Sequence, residues 1–237
     1  MLLLAVDTAN RAGSLAILKD GRLAGVISTA SDEDYSSRLL RQLDFLLREL
    51  HVKSSDIDIF AVNAGPGSFT GLRVGLAAVK GWAEVFSKPV IAVSGLEAVA
   101  AQSWSDSPGR LIAPVLDAYR GQVYAALYRF QGSRWIAEGP EQVCTAQEFL
   151  TQLASHQGND QIRFISPCPA VLQPALDNWA GAGPVVPRTI EPASPVLAPI
   201  IARLAFERAA RGEFTDALRL DANYVRRSDA ELLWKEP

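Results

Sequence analysis

Asp7 closes an apolar run, LLLAVD (2–7), and a turn-forming stretch, TANRAGS (8–14), follows it. A carboxylate in such a place can hold the metal-phosphate end of a nucleotide, and the unpaired amides of a tight turn, with Thr8 beside them, can cradle the phosphates. It can equally cap its own turn, as Asp commonly does. The loop holds one glycine, Gly13, and Ala9 stands where a hydroxyl would serve a phosphate better. Asp117 closes a similar run, LIAPVLDA (111–118), and the same two readings apply there. A second candidate anion site is GPGSFT (65–70), which leads out of a strand into a helix. Ser68 or Thr70 can cap that helix, and a helix N-terminus attracts anions.

Other chemistries lack their residues. No G-x-x-x-x-G-K-[ST] loop exists, and neither His51 nor His156 belongs to an H-x-x-x-H or H-E-x-x-H pair. No G-x-S-x-G elbow exists either. A two-metal nuclease needs several converging carboxylates, and Asp7 alone does not supply them. Cys144 and Cys168 cannot build a disulfide framework and read as ordinary thiols in a reducing compartment. The expected cofactor and metal complement is therefore none.

The elements that must position these residues come in two similar series. The first has strands at 2–7, 14–18 and 22–28, with Asp20-Gly21 as a hairpin turn, then a helix at 36–50, a strand at 58–63, a helix at 69–86, a strand at 89–94 and a helix at 95–102. After the turn-rich SDSPGR (105–110) the pattern returns: strands at 111–118, 123–130 and 134–139, a helix at 146–156 and a strand at 162–166. A last helix at 195–211 and a tail at 221–234 complete the chain. Strands alternating with helices indicate α/β mixed sheets flanked by helices. The duplication of a βββαβα unit is the pattern of the actin-like (ASKHA), duplicated RNase H-like fold. The expected subdomains are 1–106 and 107–237, with helix 195–211 a candidate to pack back on the first half. In actin-like ATPases and sugar kinases the first-strand Asp is the one at the metal-phosphate end. Those enzymes also use a Gly-rich adenosine loop, but the equivalent stretch here, SPCPAVLQP (166–174), has no glycine.

Composition narrows the partners. The 237 residues are 49% hydrophobic and 21% charged with a net charge of −3, enough apolar matter for a sizeable core and too little positive charge to grip nucleic acid unaided. The arginines at 203, 208, 211, 219, 226 and 227 are interleaved with Glu207, Glu213, Asp216 and Asp221, as on a solvated mixed face. No apolar run approaches the ~20 residues of a membrane span. The N-terminus reads as a strand and not as a leader, so a cytoplasmic location is expected.

Two helices carry more apolar and small residues than their own packing demands. In 36–50, Leu39, Leu43, Leu46 and Leu50 follow helical spacing, and Leu40 and Leu47 widen the stripe. In 69–86, Gly71, Gly75 and Ala78 share a face although glycine inside a helix costs ~1 kcal/mol relative to alanine. Either the two helices pack tightly on each other or another protein docks closely there.

GPGSFTGLR (65–73), preceded by DIFAVNA, resembles the signature of the TsaB (YeaZ) family, and VDTA (6–9), DAYRGQVYAALY (117–128) and NYVRRSDAE (223–231) resemble further motifs of it in the same order. The resemblance implies a non-catalytic accessory subunit in threonylcarbamoylation of the adenosine beside the anticodon, in tRNAs that read codons beginning with A. The implied partners are a TsaD-like catalytic subunit, which carries the metal-binding histidines, and a TsaE-like ATPase. The implied docking element is the first two helices, which also form homodimers, with tRNA reached only through the complex. Carried onto this chain, the expected interface is Tyr35, Ser36, Leu39, Leu40, Leu43, Phe69, Gly71, Leu72, Arg73, Gly75 and Ala78. Asp7, Thr8, Ser68 and Thr70 would be a vestigial nucleotide or anion site. Tyr35 and Ser36 stand where the family usually has His-Ser or His-Thr. The rival reading is an actin-like, ATP-dependent phosphotransferase using Asp7.

Overall fold

The computed structural model describes residues 1–31, 33–103, 110–132, 134–154, 162–179 and 189–226. They form two compact units, Met1–Ala98 with Pro195–Tyr224, and Val99–Ser194 with Val225–Pro237. The expected division at 106/107 is thereby corrected. The first unit takes in the C-terminal helix, as expected for 195–211, but the second begins at Val99, most of the 105–110 turn lying outside the described residues. The reason is local: Gln102 Oε1 accepts from Ser194 N–H at 2.7 Å, and Ser103 Oγ donates to Glu191 at 3.0 Å.

In the first unit, β1 (Leu2–Asp7), β2 (Ser14–Lys19), β3 (Arg22–Ser28), β4 (Ile59–Asn63) and β5 (Val90–Val93) form a sheet in the order β3-β2-β1-β4-β5. β1 to β3 are antiparallel, while β1, β4 and β5 are parallel. β1 is buried along its whole length, as a central strand covered on both faces must be. The Asp20-Gly21 turn has positive φ at both residues (51° and 76°), the geometry of a two-residue hairpin. Helices α1 (Tyr35–Glu49) and α2 (Phe69–Phe86) join the core formed by β1, β2 and β4 through Leu39, Leu43, Leu46, Leu47, Leu72, Leu76 and Val79. α3 (Gly95–Ala100) follows β5.

The second unit repeats that order. Its sheet is built on β6 (Leu111–Asp117), β7 (Gln122–Ala125), β10 (Gln142–Thr145), β11 (Ile162–Ser166) and β12 (Ile190–Pro192), arranged β10-β7-β6-β11-β12, with β6, β11 and β12 parallel. β8 (Tyr128–Gln131) and β9 (Arg134–Ala137) make an additional hairpin off this path. Two expectations need correction. The strand read as 123–130 is two strands, and the counterpart of β3 is β10, not the 134–139 segment. β6 pairs with β7 and β8 in one register, Val115 opposite Ala125 and Ile112 opposite Tyr128, but the ladder is interrupted around Pro114, which has no N–H to give. The gap lets β8 leave with β9 while β7 continues to β10. Two helices, α4 (Ala146–Ala154) and α5 (Gln173–Asp177), complete this unit, and His156 lies outside the described residues.

The last helix, α6 (Ala198–Ala210), belongs to the first unit, where Ala198 N–H donates to the buried Ser14 Oγ at 3.1 Å and Arg208 pairs with Glu97. The following segment seals an edge: Thr215 N–H donates to Val90 O at 2.7 Å, and Ala92 N–H donates to Thr215 Oγ1 at 2.9 Å. A sheet edge covered in this way is closed to other strands.

Within the first unit, α2 lies against the residue after β1 with no room for side chains at two of its positions. A Cβ on Gly71 would stand 2.0 Å from Thr8 O, and one on Gly75 would stand 2.4 Å from Thr8 Oγ1. Thr8 Oγ1 donates to Gly71 O at 2.7 Å across the same contact. Gly71→Ala should therefore destabilise the protein by about 1–3 kcal/mol through overpacking. Urea unfolding of the two proteins side by side measures it.

Candidate functional site

Asp7 and Asn63 end the neighbouring parallel strands β1 and β4, whose register sets Val6 against Val62. Both side chains are buried. Asp7 Oδ1 accepts from Ala9 N–H at 3.0 Å and from Asn63 Nδ2 at 2.9 Å; Oδ2 accepts from Asn10 Nδ2 at 3.1 Å. Asn63 in turn accepts Gly65 N–H at 2.9 Å, which ties the Gly-Pro-Gly loop to the carboxylate. Burial pushes the Asp7 carboxyl up to about 6, even though all three donors pull it down. Asn63 was not singled out from the sequence. Its signal was there: like Asp7, it is the one polar residue ending an apolar strand.

The other candidate residues do not open a phosphate cradle beside Asp7. Thr8 is buried and committed to Gly71. Ser68 Oγ accepts Gly71 N–H at 3.3 Å as the N-cap of α2, and Ser68 N–H donates to Ala9 O at 2.8 Å. Thr70 faces solvent. Tyr35, at the start of α1, lies across the 8–13 loop and donates to Asn10 O at 3.0 Å. Any Cβ on Gly13 would collide with that hydroxyl. Burial, against the nearby Arg38 charge, pushes the Tyr35 hydroxyl up to about 12, so it stays a donor. Arg38 is itself buried and holds the loop, with NH1 donating to Thr29 O at 2.7 Å and its guanidinium 3.9 Å over the Tyr35 ring. Asp117, by contrast, is exposed and accepts Tyr119 N–H at 2.7 Å, the same two-residue cap that Asp7 gives Ala9.

The expected interface divides in two. Leu39, Leu43, Leu72, Gly71 and Gly75 are buried in the unit's own core, so they are corrected: the glycines admit Thr8, not a second helix or a partner. Ser36, Leu40 and Arg73 are exposed, and Tyr35, Phe69 and Ala78 are half-buried. The surplus apolar surface of α1 comes down to Leu40, 60% exposed, and Phe45, 56% exposed. On α2 the outward residues are Thr70, Arg73, Ala77, Gly81, Glu84 and Val85, which share one face at helical spacing. Val85 is 75% exposed, and a Cβ on Gly81 would meet nothing within 4 Å. Gly81, unlike Gly71 and Gly75, has no packing reason among the described residues. The sequence-based expectation missed it because glycines alone do not tell the inner face from the outer.

The C-terminal arginines are taken up internally. Arg208 pairs with Glu97, Arg211 with Glu213 and Arg219 with Asp216, while Arg226 donates to Ala118 O at 2.8 Å. Arg227 lies outside the described residues. Among the described residues no group of three or more His, Cys, Asp and Glu is placed to hold a metal, and no helix is long and apolar enough to cross a membrane.

A family model described as "TsaD: tRNA N6-adenosine threonylcarbamoyltransferase" matches residues 16–179. The chain is 32% identical over 157 residues to the tRNA threonylcarbamoyladenosine biosynthesis protein TsaB of Bacillus subtilis, covering 65% of this chain and 66% of that one. It is 33% identical over 144 residues to the Escherichia coli TsaB, covering 60% and 62%. These two stretches span just under two thirds of the relatives' own length. Against the Haemophilus influenzae TsaB the match is 26% identical over 100% of this chain and 97% of the relative. The solved YeaZ of Pseudomonas aeruginosa superposes with a TM-score of 0.73 at 26% identity, over 94% of this chain and 99% of that one. The chain belongs to the TsaB/YeaZ family. A polyphosphate/ATP-glucomannokinase from Arthrobacter, at 12% identity and a TM-score of 0.53 over 89% of this chain and 99% of that one, shares the fold. The actin-like architecture is thus common to this TsaB/YeaZ chain and to a kinase of only 12% identity.

Burial makes the Asp7 carboxylate a source of pH-dependent stability. In the unfolded chain the carboxyl loses its proton near 3.8; in the folded chain it keeps it to about 6. The folded state binds more protons between those values, so this group's contribution to stability falls as pH rises through them and then levels off. The whole difference corresponds to roughly 3 kcal/mol. Asp7→Asn removes it, and the Asn10 amide, whose buried Oδ1 has no partner among the described residues, can turn over to accept from the new Nδ2. Asp7→Asn should therefore be more stable than the native protein at pH 7, with the gap closing below pH 4. Guanidinium titrations at the two pH values measure this.

Proposed function

We propose that this chain is a non-catalytic docking subunit that acts in the cytoplasm with a TsaD-type transferase in threonylcarbamoylation of the tRNA adenosine beside the anticodon. One observation carries the reading: the outer faces of α1 and α2 keep Leu40, Ala77, Gly81 and Val85 at the surface, while the polar groups that would serve chemistry at Asp7 are turned inward on each other. Gly81 and Ala77 form a shallow place where another helix can approach closely, rimmed by larger apolar residues. A TsaE-type ATPase joins the complex, and tRNA is reached through the assembly. A second copy of the chain competes for the same face.

The alternative, a phosphotransferase using Asp7, requires that carboxylate to face an incoming metal-phosphate. Here three donors of the chain itself already bond the carboxylate, two of them on Oδ1, and Tyr35 covers the loop.

Gly81→Leu tests the proposal because it adds bulk where the chain has open space. The variant should melt like the native protein but lose binding to the host's TsaD-type protein and fail to support tRNA modification when both are mixed with the TsaE-type ATPase. Undiminished binding would overturn the docking face. In calorimetry, ATP-Mg²⁺ titrated into the isolated chain should give no saturable heat. Binding that Asp7→Ala abolishes would favour the phosphotransferase.

A further inference from the structure

One polar group on the outer face of α2 is held more firmly than a surface side chain needs to be. Arg73 is exposed, yet its guanidinium lies 3.7 Å above the Phe69 ring and 5.8 Å from the Tyr224 ring. Its Nε donates to Tyr224 Oη at 3.0 Å, and the two rings are 4.9 Å apart. Tyr224 is itself fixed from behind. Asn223 N–H donates to Ala64 O at 2.7 Å, and Asn223 O lies where a Cβ on Gly65 would come within 2.8 Å. The C-terminal segment therefore crosses the Gly-Pro-Gly loop and ends with an aromatic wall beside Arg73. Stacking and the Nε bond use the flat face and one edge of the guanidinium. The two terminal NH₂ groups, the pair that binds a carboxylate in fork geometry, take no partner among the described residues.

The charges around it indicate what it waits for. On α1, Arg48 pairs with Asp44, and Arg41 pairs with Glu33 just ahead of the helix. On α2, Arg73 and Lys80 have no ion pair among the described residues, and Glu84 is the only acid in the helix. The outward residues next to Arg73 are Thr70, Ala77 and Gly81, small and uncharged, not the run of cations that phosphate backbones require.

We infer that Arg73, clamped by Phe69 and Tyr224, is the charged anchor of the docking face and receives a carboxylate from the partner protein that seats on α2. The inference rests on the docking reading above and adds the chemistry of the partner: an apolar helical surface with an acid opposite Arg73. An ordered guanidinium loses little freedom on binding, so it gives orientation as well as affinity. Tyr224 and Phe69 are positioning residues acting through Arg73.

The test is calorimetric titration of the host's TsaD-type protein with the native chain, Arg73→Met, Arg73→Lys and Tyr224→Phe, each at low and high NaCl. The native chain should bind more weakly in high salt. Arg73→Met should lose ~10- to 100-fold in affinity and most of the salt dependence. Arg73→Lys should keep the salt dependence but not the affinity, and Tyr224→Phe should fall between. All should melt like the native protein. Arg73→Met binding as tightly as the native chain with an unchanged salt slope would overturn the anchor and leave the docking face standing; a native chain that does not bind at all would overturn both. Filter binding of unfractionated tRNA to the isolated chain provides the other arm. Retention by the native protein and loss in Arg73→Met would show a phosphate contact in place of the carboxylate and overturn the inference.

Discussion

The contact of α2 with the end of β1 governs the rest of the first unit. Thr8 occupies the space that side chains at 71 and 75 would fill, and its hydroxyl bonds back to the helix. Because the approach is so close, α2 has one admissible rotation. Leu72, Leu76 and Val79 turn into the core, and the stripe from Thr70 to Val85 turns away from it. The face proposed for docking is thus a consequence of how the helix is seated and not an independent feature of its surface.

The same seating seals the carboxylate. Ser68 and Gly67 press on Ala9, Asn63 reaches Asp7 from the adjoining strand, and Tyr35 with Arg38 draws the loop toward α1. In a nucleotide-using protein of this fold the turn after the first strand has to present free amides to phosphate. Here the turn, the carboxylate and the helix cap satisfy one another, and burial makes the charged form of Asp7 costly. A structural carboxylate of this kind is a weak point in stability that the fold retains for order at the ends of β1 and β4.

Much of this was legible in the residues. The apolar runs ending in Asp, the Asp20-Gly21 turn and the 69–86 helix lie where spacing and turn chemistry put them, and the second sheet repeats the strand order of the first. The parts that were not legible depend on tertiary contacts. The break of 123–130 into two strands follows from what Pro114 cannot donate to a neighbour distant in sequence. The sorting of α2 glycines into buried and outward ones follows from the position of Thr8. Leu47, read as widening the α1 stripe, is buried, and so are Leu39 and Leu43 of the expected interface, because helical periodicity gives a stripe but not the sheet it lies on. The Arg73 clamp is invisible in sequence because Tyr224 arrives from the far end of the chain.

The central claim is that the outward faces of α1 and α2 are where another protein seats. Hydrogen–deuterium exchange on the full chain, alone and with saturating TsaD-type protein, tests it without altering a residue. The account predicts slowed exchange concentrated in residues 36–49 and 69–86. Protection confined to the second unit, for example the 128–137 hairpin, with those helices unchanged, would contradict it.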